Sequence, residues 1–321
     1  MKSKLAGSKN HNKRSVVRLS ISVVGAGAVG SALVLALSEA GCNIVSIVSR
    51  SGKPALVLAK ATRCKKVSTS VADISRDTEL LLLAVPDNDL EEIVRQIAKK
   101  SKLKWKQVLV VHTSGINSID VLKPLERLGA RVAALHPIQS FPKTKSLRER
   151  AKSTRGIYFG AEGNRKNLEG LAQLVALLGS RSIEIPAGAK ALYHAACVFA
   201  SNYVVALLNA VDEAATAGGF AGHWKEMMLP LFTTTVENAL KTSPAGALTG
   251  PIVRNDLETV ERHLDALKKY APQLIPFYSM AGIEVGRVAR RRGDLSPEQF
   301  QELIDTIRRH VRRMGSPKKK N

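Results

Sequence analysis

Short apolar runs alternate with amphipathic stretches throughout the first half of the chain. The runs are rich in Val, Ile and Leu, and they begin near Leu19, Asn43, Glu79, Gln107 and Arg131. Continuous apolar runs separated by helical stretches are typical of a parallel sheet with helices on both faces. The pattern therefore predicts an α/β fold with a doubly wound parallel sheet.

The pattern changes near residue 187, where strand signals end. Three weaker strands complete the α/β part, at Val67 and over residues 155–160 and 181–185. Beyond them the chain predicts only helices, over residues 189–217, 223–241 and 256–291, with a last helix that starts at Ser296. The sheet domain is thus expected to be followed by an all-α C-terminal domain.

A glycine-rich turn joins the first predicted strand to the first predicted helix. It reads Gly25-Ala26-Gly27-Ala28-Val29-Gly30, a GxGxxG motif. In such a turn Gly25 permits the tight bend, Gly27 lets a pyrophosphate approach the backbone, and Gly30 lets helix and strand pack closely. The helix N-terminus offers free N–H groups to the phosphates. This context predicts a dinucleotide site in a Rossmann-type sheet; a plain glycine-rich turn is the alternative.

The end of the second predicted strand indicates which dinucleotide is bound. Ser49-Arg50-Ser51 stands where an NAD site has an acidic residue that bonds the ribose hydroxyls. A guanidinium pairs with a 2′-phosphate, which a carboxylate would repel. We predict NADP(H) as the cofactor and Arg50 as the 2′-phosphate ligand. The alternative is that Arg50 is one surface arginine among many.

Further candidates follow the later strands, because ligands of a parallel sheet bind outside the carboxyl ends of its strands. Val85 and Pro86 follow one strand, and Thr113 and Ser114 follow the next. We expect Val85, Pro86 and Thr113 to contact the cofactor and Ser114 to contact the substrate. His136 ends a further strand at the same edge.

The net charge of +22 over 321 residues is concentrated at the two ends of the chain. Residues 1–18 carry six Lys or Arg, and residues 308–320 carry seven, without an acidic residue in either segment. Only 4% of residues are aromatic, and none interleaves with these tails, so no platform for stacking bases is indicated. We expect solvated tails and no nucleic-acid partner.

The remaining composition predicts a soluble cytoplasmic protein. No apolar run approaches the ~18 residues that a membrane span needs, and the first residues lack the apolar segment of a secretory signal. Cys42, Cys64 and Cys197 are odd in number and far apart, as is typical of reduced thiols. The histidines show no metal-ligand spacing, so no metal is expected.

Two helical segments carry polar candidates for a substrate site. In the first, Lys190, His194 and Ser201 fall on one helical face, with Asn202 at its edge. A polar stripe on an apolar helix is costly to bury without partners. We predict that it lines a substrate site in the cleft between the two domains. The alternative is an exposed Lys190 at the helix start and a hydrogen-bonded core histidine at His194.

The second segment, residues 247–256, contains the turn Thr249-Gly250-Pro251 before a capped helix. A helix N-terminus beside Arg254 suits an anionic substrate group. The alternative is a well-capped helix with Arg254 on the surface.

Six segments in this order resemble one family: GAGAVG, LLLAVPD, VVHTSG, ALHPIQSF, KALYHAACVFASNY and LTGPIVRND. They are similar to the Rossmann-like and DUF2520 domain proteins, relatives of pyrroline-5-carboxylate reductase and of the 6-phosphogluconate dehydrogenase superfamily. The resemblance covers about Leu19 to Arg287, leaving both basic tails outside. The GxGxxG is shared by many families, whereas the combination of HPIQSF, YHAA…ASNY and TGPI is far more specific. Asn255 stands where the family usually has Gly.

The resemblance implies a two-domain NAD(P)-dependent oxidoreductase, often dimeric through the helical domain, and it implies no particular substrate. Some members look like alternative ketopantoate reductases. Related ketopantoate reductases and hydroxyacid dehydrogenases place a catalytic Lys on the first helix after the sheet domain, where this chain has Lys190. Such enzymes often have Asn one turn later, where this chain has His194, so the proton donor is left open between the two.

We therefore expect four segments along the chain. They are a disordered basic arm (1–18), an NADP-binding Rossmann-like domain (19–186), a helical DUF2520-like domain for substrate binding and dimerisation (187–292), and a terminal helix with a basic tail (293–321).

Together these features predict an NADPH-dependent reductase of a small carboxylate-bearing ketone or imine, with ketopantoate as the best single substrate. Lys190 would protonate or polarise the developing oxyanion, and His194 would assist. Arg254 would hold the substrate carboxylate, beside Ser114, Ser201 and Asn202. The alternative is a non-catalytic NADP-binding regulatory protein whose helical domain is an interaction surface. A third reading is nucleic-acid binding through the tails.

Overall fold

The computed structural model describes residues 19–312, so the predicted arm over 1–18 and the end of the basic tail lie outside the described residues. The chain divides into two compact units, Met1–Phe199 and Ala200–Asn321. This division falls later than the expected domain boundary at 186/187. The reason is that the helix carrying Lys190 packs against strands of the first unit through its side chains.

One eight-stranded sheet forms the centre of the first unit. Its strands are β1 Ser20–Val24, β2 Asn43–Val48, β3 Val67–Ser68, β4 Leu80–Leu83, β5 Leu109–His112, β6 Arg131–Pro137, β7 Tyr158–Gly163 and β8 Arg181–Glu184. The spatial order is β3-β2-β1-β4-β5-β6-β7-β8. The strand order reverses between β1 and β4, the switch point outside which ligands of such sheets bind. The predicted doubly wound Rossmann sheet is confirmed.

One strand pair departs from the parallel pattern that the sequence predicts. β6 and β7 are antiparallel, while the other neighbouring strands are parallel. The pairing aligns His112 of β5 with Ala134 of β6, and Ala134 with Glu162 of β7. Residues paired in this way project from the same face of a sheet.

Over residues 19–200 the structure has seven α-helices: α1 Ala28–Glu39, α2 Gly52–Thr62, α3 Asp87–Lys100, α4 Lys123–Glu126, α5 Leu147–Lys152, α6 Arg165–Ala176 and α7 Lys190–Ala200. Side chains alternate along each strand, so Leu82 and Leu83 enter different cores. One core is formed with α1, α2, α5 and α6, and the other with α3 and α4. Burial on both faces explains the continuous apolar strand runs.

The second unit is helical, with α8 Asn202–Ala217, α9 Trp224–Lys241, α10 Leu257–Tyr270, α11 Ile275–Arg292 and α12 Pro297–Arg312. Its apolar core lies among α10, α11 and α12, around Val260, Leu264, Ile275 and Leu303. In contrast, Ala215 is the buried residue of α8, and α9 has none within the described unit.

Two predicted long helices are interrupted. The helix predicted over 189–217 breaks at Ser201, whose backbone leaves the helical region (φ −130°, ψ −66°) and whose hydroxyl donates to the Asn202 side chain. The placement of Lys190, His194 and Ser201 on one continuous helical face is therefore wrong. The segment predicted over 256–291 divides at residues 271–274, because Pro272 starts a short 3₁₀ turn between α10 and α11.

The consecutive helices over 190–217 form one stretch that is long and apolar enough to cross a membrane by length and composition, with a mean hydropathy of 1.6. The sequence pattern had predicted no run of this kind. By length and composition alone, one such stretch is weak evidence for a membrane span.

Candidate active site

The glycine-rich turn between β1 and α1 has the geometry that each glycine position requires. Gly25 has φ +104°, and a Cβ there would stand 2.2 Å from the Ala84 carbonyl oxygen. A Cβ at Gly30 would stand 2.1 Å from the Gly25 carbonyl oxygen. At Gly27 no described atom beyond its own chain neighbours lies within 4 Å of the Cβ position. The space in front of Gly27 is therefore open, at the N-terminus of α1.

A cavity of about 470 Å³ lies in front of this turn. Its walls include the predicted residues Gly25, Gly27, Ser49, Arg50, Ser51, Val85 and Pro86. Ala28 and Val29 form the first turn of α1 and are half-buried. Thr113 is buried at the end of β5, where its N–H donates to the Leu83 carbonyl oxygen. Seven of the eleven predicted cofactor residues thus line the cavity. The other four are Ala28, Val29, Gly30 and Thr113.

Arg50 has an acidic partner on the wall of the same cavity. Its guanidinium nitrogen lies 2.5 Å from a carboxylate oxygen of Asp89, which stands in the first turn of α3. The two side chains are 76% and 36% exposed. An ion pair this exposed is weak, so an entering phosphate can compete for the guanidinium.

A second group of residues, the lysine cluster, lies at the same edge of the sheet, where β5, β6 and β7 meet. Its members are Lys190, Glu162, His112, His136, Tyr193 and His194. Lys190 is buried at the start of α7, and its Nζ lies 3.2 Å from Oε2 of Glu162, with side-chain exposures of 7% and 14%. Glu162 shares one sheet face with His112, and Ala134 stands between them with only a methyl group. The alternative of an exposed lysine at this position does not match its burial.

Three buried polar atoms of this cluster have unused hydrogen-bonding capacity. Within the described residues, Lys190 Nζ, Glu162 Oε2 and His112 Nε2 make no hydrogen bond of good geometry, although the first two form the ion pair. The Ser114 N–H donates to His112 Nδ1, which places the proton of a neutral imidazole on Nε2. Unpartnered buried donors are rare and mark places where water or a ligand binds.

Three aromatic rings complete the lysine cluster, one from β6 and two from α7. His136 Nδ1 and the Tyr193 hydroxyl are hydrogen-bonded at 2.7 Å, and the rings of His136 and His194 meet edge to face. Glycines make room for them: a Cβ at Gly160 would stand 2.4 Å from the Tyr193 hydroxyl, and one at Gly115 would stand 2.5 Å from the His194 ring.

Burial disfavours the charged forms of these groups. Burial and then the Lys190 charge lower the pKa of His112 to about 3. Burial, then His194 and Lys190, lower the pKa of His136 to about 4. Burial also lowers the pKa of Lys190, against the attraction of Glu162 and Asp87. The two imidazoles are thus neutral near pH 7, and Lys190 gives up its proton more readily than a solvated lysine.

Ser114 is buried beside His112, and its hydroxyl accepts hydrogen bonds from the Asn117 backbone and side chain. The Asn117 side chain also donates to the Asp87 carbonyl oxygen. Asp87 follows Pro86 of the cavity wall, and its charge acts on both His136 and Lys190. The described first unit thus brings the lysine cluster and the cavity to one edge.

The other predicted substrate residues belong to the second unit. Ser201 and Asn202 are exposed at the break before α8, and Arg254 is exposed in the turn before α10. Asp256 caps α10 by accepting from Thr259. Asn255 has φ +52°, a left-handed conformation that Gly and Asn adopt most readily, so the turn is kept although Gly is replaced.

The sequence analysis missed His112, Glu162, Tyr193, Gly115 and Gly160 as parts of the cluster, and it placed His136 at this edge without a role. Glu162 depends on the antiparallel register of β7, which the apolar pattern does not reveal. Tyr193 was within reach, since it follows Lys190 by three residues and so lies near it on a helix.

Family models match both halves of the chain. A Rossmann-like domain matches residues 5–137, and a domain of unknown function, DUF2520, matches residues 157–284. No curated protein matches the chain.

Solved structures share the fold over most of the chain. A Bacteroides fragilis protein proposed to be an NADP oxidoreductase is 23% identical over 85% of this chain and 100% of its own, with a TM-score of 0.71. A Thermotoga maritima protein is 25% identical over 85% and 99%, with a TM-score of 0.63. An Aspergillus terreus reductive aminase in complex with NADPH and ethyl levulinate is 16% identical over 89% and 98%, with a TM-score of 0.61.

These matches agree with the six motifs, with the glycine turn of β1 and α1, and with the helical segments that follow the sheet. The chain is therefore a two-domain protein in which a Rossmann-like domain is followed by a DUF2520 domain.

Proposed function

We propose that the protein is an NADP(H)-dependent reductase that acts on a small ketone or imine. The observation that carries the proposal is the lysine cluster: Lys190, buried with an available proton, stands at the same sheet edge as a cavity built on a GxGxxG turn. Nucleotides bind at this edge of doubly wound sheets, and a reductase needs a proton donor beside the cofactor.

The residues of the cavity fit NADP(H). The open space before Gly27 and the N-terminus of α1 suit the pyrophosphate. Arg50, with the hydroxyls of Ser49 and Ser51 beside it, suits the 2′-phosphate, for which it would leave Asp89. Two similar structures support this cofactor, because one is of a proposed NADP oxidoreductase and the other holds NADPH.

When bound, NADPH would supply a hydride for the carbonyl or imine carbon. Lys190 then gives a proton to the oxygen or nitrogen of the breaking double bond, so that the product is an alcohol or an amine. The neutral His112 can donate a hydrogen bond from Nε2 without adding a second buried cation. His194 assists through its contact with His136, and Ser114 fixes His112 through its backbone N–H.

The substrate class is a carboxylate-bearing ketone or imine, with Arg254 as carboxylate ligand and Ser201 and Asn202 as further contacts. Of the three similar structures, one is described as a reductive aminase, and none is described with ketopantoate. Ketopantoate is therefore one member of the panel to be tested and carries no special weight.

We also propose a soluble homodimer formed through α8 and α9. These helices expose large apolar side chains, among them Val205, Leu229, Leu231 and Leu240. A second copy of the same face would bury them, as an obligate interface requires. A monomer in light scattering, or an unchanged dimer for Leu240→Glu, would contradict this.

The test is NADPH oxidation by the full chain with a panel of 2-keto acids, ketones with amines, and cyclic imines. Wild type and two variants are compared: Gly27→Val, which blocks the pyrophosphate position without a clash inside the protein, and Lys190→Met. Turnover that both variants lose supports the reductase. NADPH binding without turnover for every substrate would instead indicate a regulatory NADP-binding protein.

A further inference from the structure

We propose that Glu162 is a positioning residue of the reductase. Its carboxylate holds the Lys190 ammonium beside the neighbouring residues His112, Ala134 and Glu162 of β5, β6 and β7. It thereby sets the pH range in which Lys190 can act as the acid. The proposal rests on the proposed function, in which Lys190 is the proton donor. Glu162 is not expected to touch the substrate.

The geometry of the sheet supports this role. Because β7 runs antiparallel to β6, Glu162 is placed level with Ala134 and His112 on one face. The small side chain of Ala134 leaves space between the two larger ones, and Lys190 from α7 reaches Glu162 at 3.2 Å. A buried carboxylate beside a buried ammonium is too costly to persist unless each partner stabilises the other.

Glu162 of β7 and Asp87 of α3 attract the Lys190 ammonium, while the Lys190 charge lowers the pKa of His112 on β5 and of His136 on β6. His194, which lies on α7 with Lys190, contacts the His136 ring. The imidazoles of β5 and β6 are neutral near pH 7. The attraction of Glu162 is the largest effect that opposes the lowering of the Lys190 pKa by burial, and Asp87 adds a smaller one. Removing the Glu162 charge should therefore make Lys190 lose its proton at lower pH.

Removing the Glu162 charge should shift the pH dependence of activity toward lower pH. A reductase that needs protonated Lys190 loses activity as pH rises through the Lys190 pKa. Without the Glu162 charge this loss moves to lower pH, while the rate at more acidic pH is retained if Lys190 stays in place. A merely structural role would lower the rate at every pH and leave the profile where it was.

The experiment follows Lys190 directly by NMR of the full chain labelled with ¹³C at the lysine ε-carbon, with the Lys190 signal assigned from Lys190→Met. Glu162→Gln should move the Lys190 titration midpoint down by about one pH unit or more. Glu162→Asp keeps the charge at a shorter reach and should move it less. Glu184→Gln is the matched control, because Glu184 is an exposed carboxylate on the adjacent strand β8, and it should move nothing.

Activity profiles separate this proposal from the proposed function. Shifts of the NMR midpoint and of the kcat profile in parallel support both. A midpoint shift in a protein that reduces no substrate upholds the Glu162–Lys190 coupling and overturns the reductase. An active enzyme in which neither Glu162→Gln nor Glu162→Asp moves the midpoint overturns the role of Glu162. If Glu162→Gln does not fold, Glu162→Asp alone decides between these outcomes.

Discussion

In the proposed function, Lys190 is the residue that donates the proton. A lysine is seldom buried, because removing an ammonium from water is costly unless a partner compensates. Here the compensation comes from Glu162, whose carboxylate is itself largely buried. Burial lowers the Lys190 pKa, and a proton that leaves readily is what a general acid near neutral pH needs.

We expect Lys190→Met to reduce kcat by about 10²–10³ while NADPH affinity changes little. The proposed interaction strengthens only as charge develops on the substrate, and one such donor is typically worth this factor. Stopped-flow turnover and NADPH fluorescence titration measure the two quantities. His194→Ala serves as the comparison: a collapse of kcat there, with near-normal kcat for Lys190→Met, would transfer the acid role to His194.

At the cofactor cavity, Arg50 and Asp89 should have opposite effects on NADPH binding. Arg50→Gln should weaken NADPH roughly ten- to hundredfold, because a charge-assisted contact to the 2′-phosphate is lost, and should leave NADH almost unaffected. Asp89→Asn should increase NADPH affinity by about a few-fold, which corresponds to the strength of an exposed ion pair. The 2′-phosphate would then no longer compete with a carboxylate for Arg50. Titration of both cofactors tests this, and an unchanged NADPH-to-NADH ratio in Arg50→Gln would remove Arg50 as the phosphate ligand.

The positions of single residues follow from the sequence where a local motif defines them, while their binding roles stay predictions. The glycines of the turn after β1 and Arg50 after β2 follow from strand–turn–helix context, and they line the cavity or shape its turn. Glu162 could not be predicted in this way, because its role depends on which residues of two other strands lie beside it.

At the scale of elements, the cluster depends on how closely α7 approaches the sheet. Gly160 on β7 lies against the Tyr193 hydroxyl, and Gly115 after β5 lies against the His194 ring. Small residues at both positions let the helix bring Lys190, Tyr193 and His194 down onto β6 and β7. The sequence predicted the elements themselves, whereas the break at Ser201 escaped it because the apolar pattern continues across that residue.

Gly160→Ala should disturb the cluster without unfolding the sheet. Its Cβ would stand 2.4 Å from the Tyr193 hydroxyl, so the ring must move and the hydrogen bond to His136 must break. We expect destabilisation of about 1–3 kcal/mol, the usual cost of overpacking. Urea unfolding measures it, and Gly170→Ala on α6, where a Cβ meets no described atom within 4 Å, is the control. When Tyr193→Ala is the reference protein, adding Gly160→Ala should cost little further stability. If Gly160→Ala destabilises Tyr193→Ala as much as it destabilises wild type, Tyr193 is not the clashing group.

At the scale of the whole molecule, the buried His112 and the half-buried His136 link folding to pH. His112 keeps its neutral form in the folded state down to about pH 3, whereas in the unfolded chain it takes up a proton near its ordinary pKa of 6.5. The unfolded state therefore binds more protons between these values, and stability falls as pH falls through this window. His136, with a pKa of about 4, acts in the same direction.

We expect His112 alone to cost the folded state about 2 kcal/mol between pH 7 and pH 5. His112→Asn keeps an acceptor for the Ser114 N–H and removes the titrating ring, so its free energy of unfolding should depend less on pH over this range. Urea unfolding at pH 7, 6 and 5 for both proteins provides the comparison. Equal pH dependence in the two would mean that His112 is protonated in the folded protein or does not titrate in this window.

The two family segments meet inside the lysine cluster rather than at its border. His112 and His136 belong to the Rossmann-like match, which ends at residue 137, while Glu162, Lys190 and Tyr193 belong to the DUF2520 match, which begins at residue 157. Recombination between relatives at this junction would keep the nucleotide cavity and the lysine. It would, however, join the imidazoles of one parent to the carboxylate of another. The two segments are therefore expected to evolve together, and chimeras joined at residues 138–156 should bind NADPH more reliably than they turn it over.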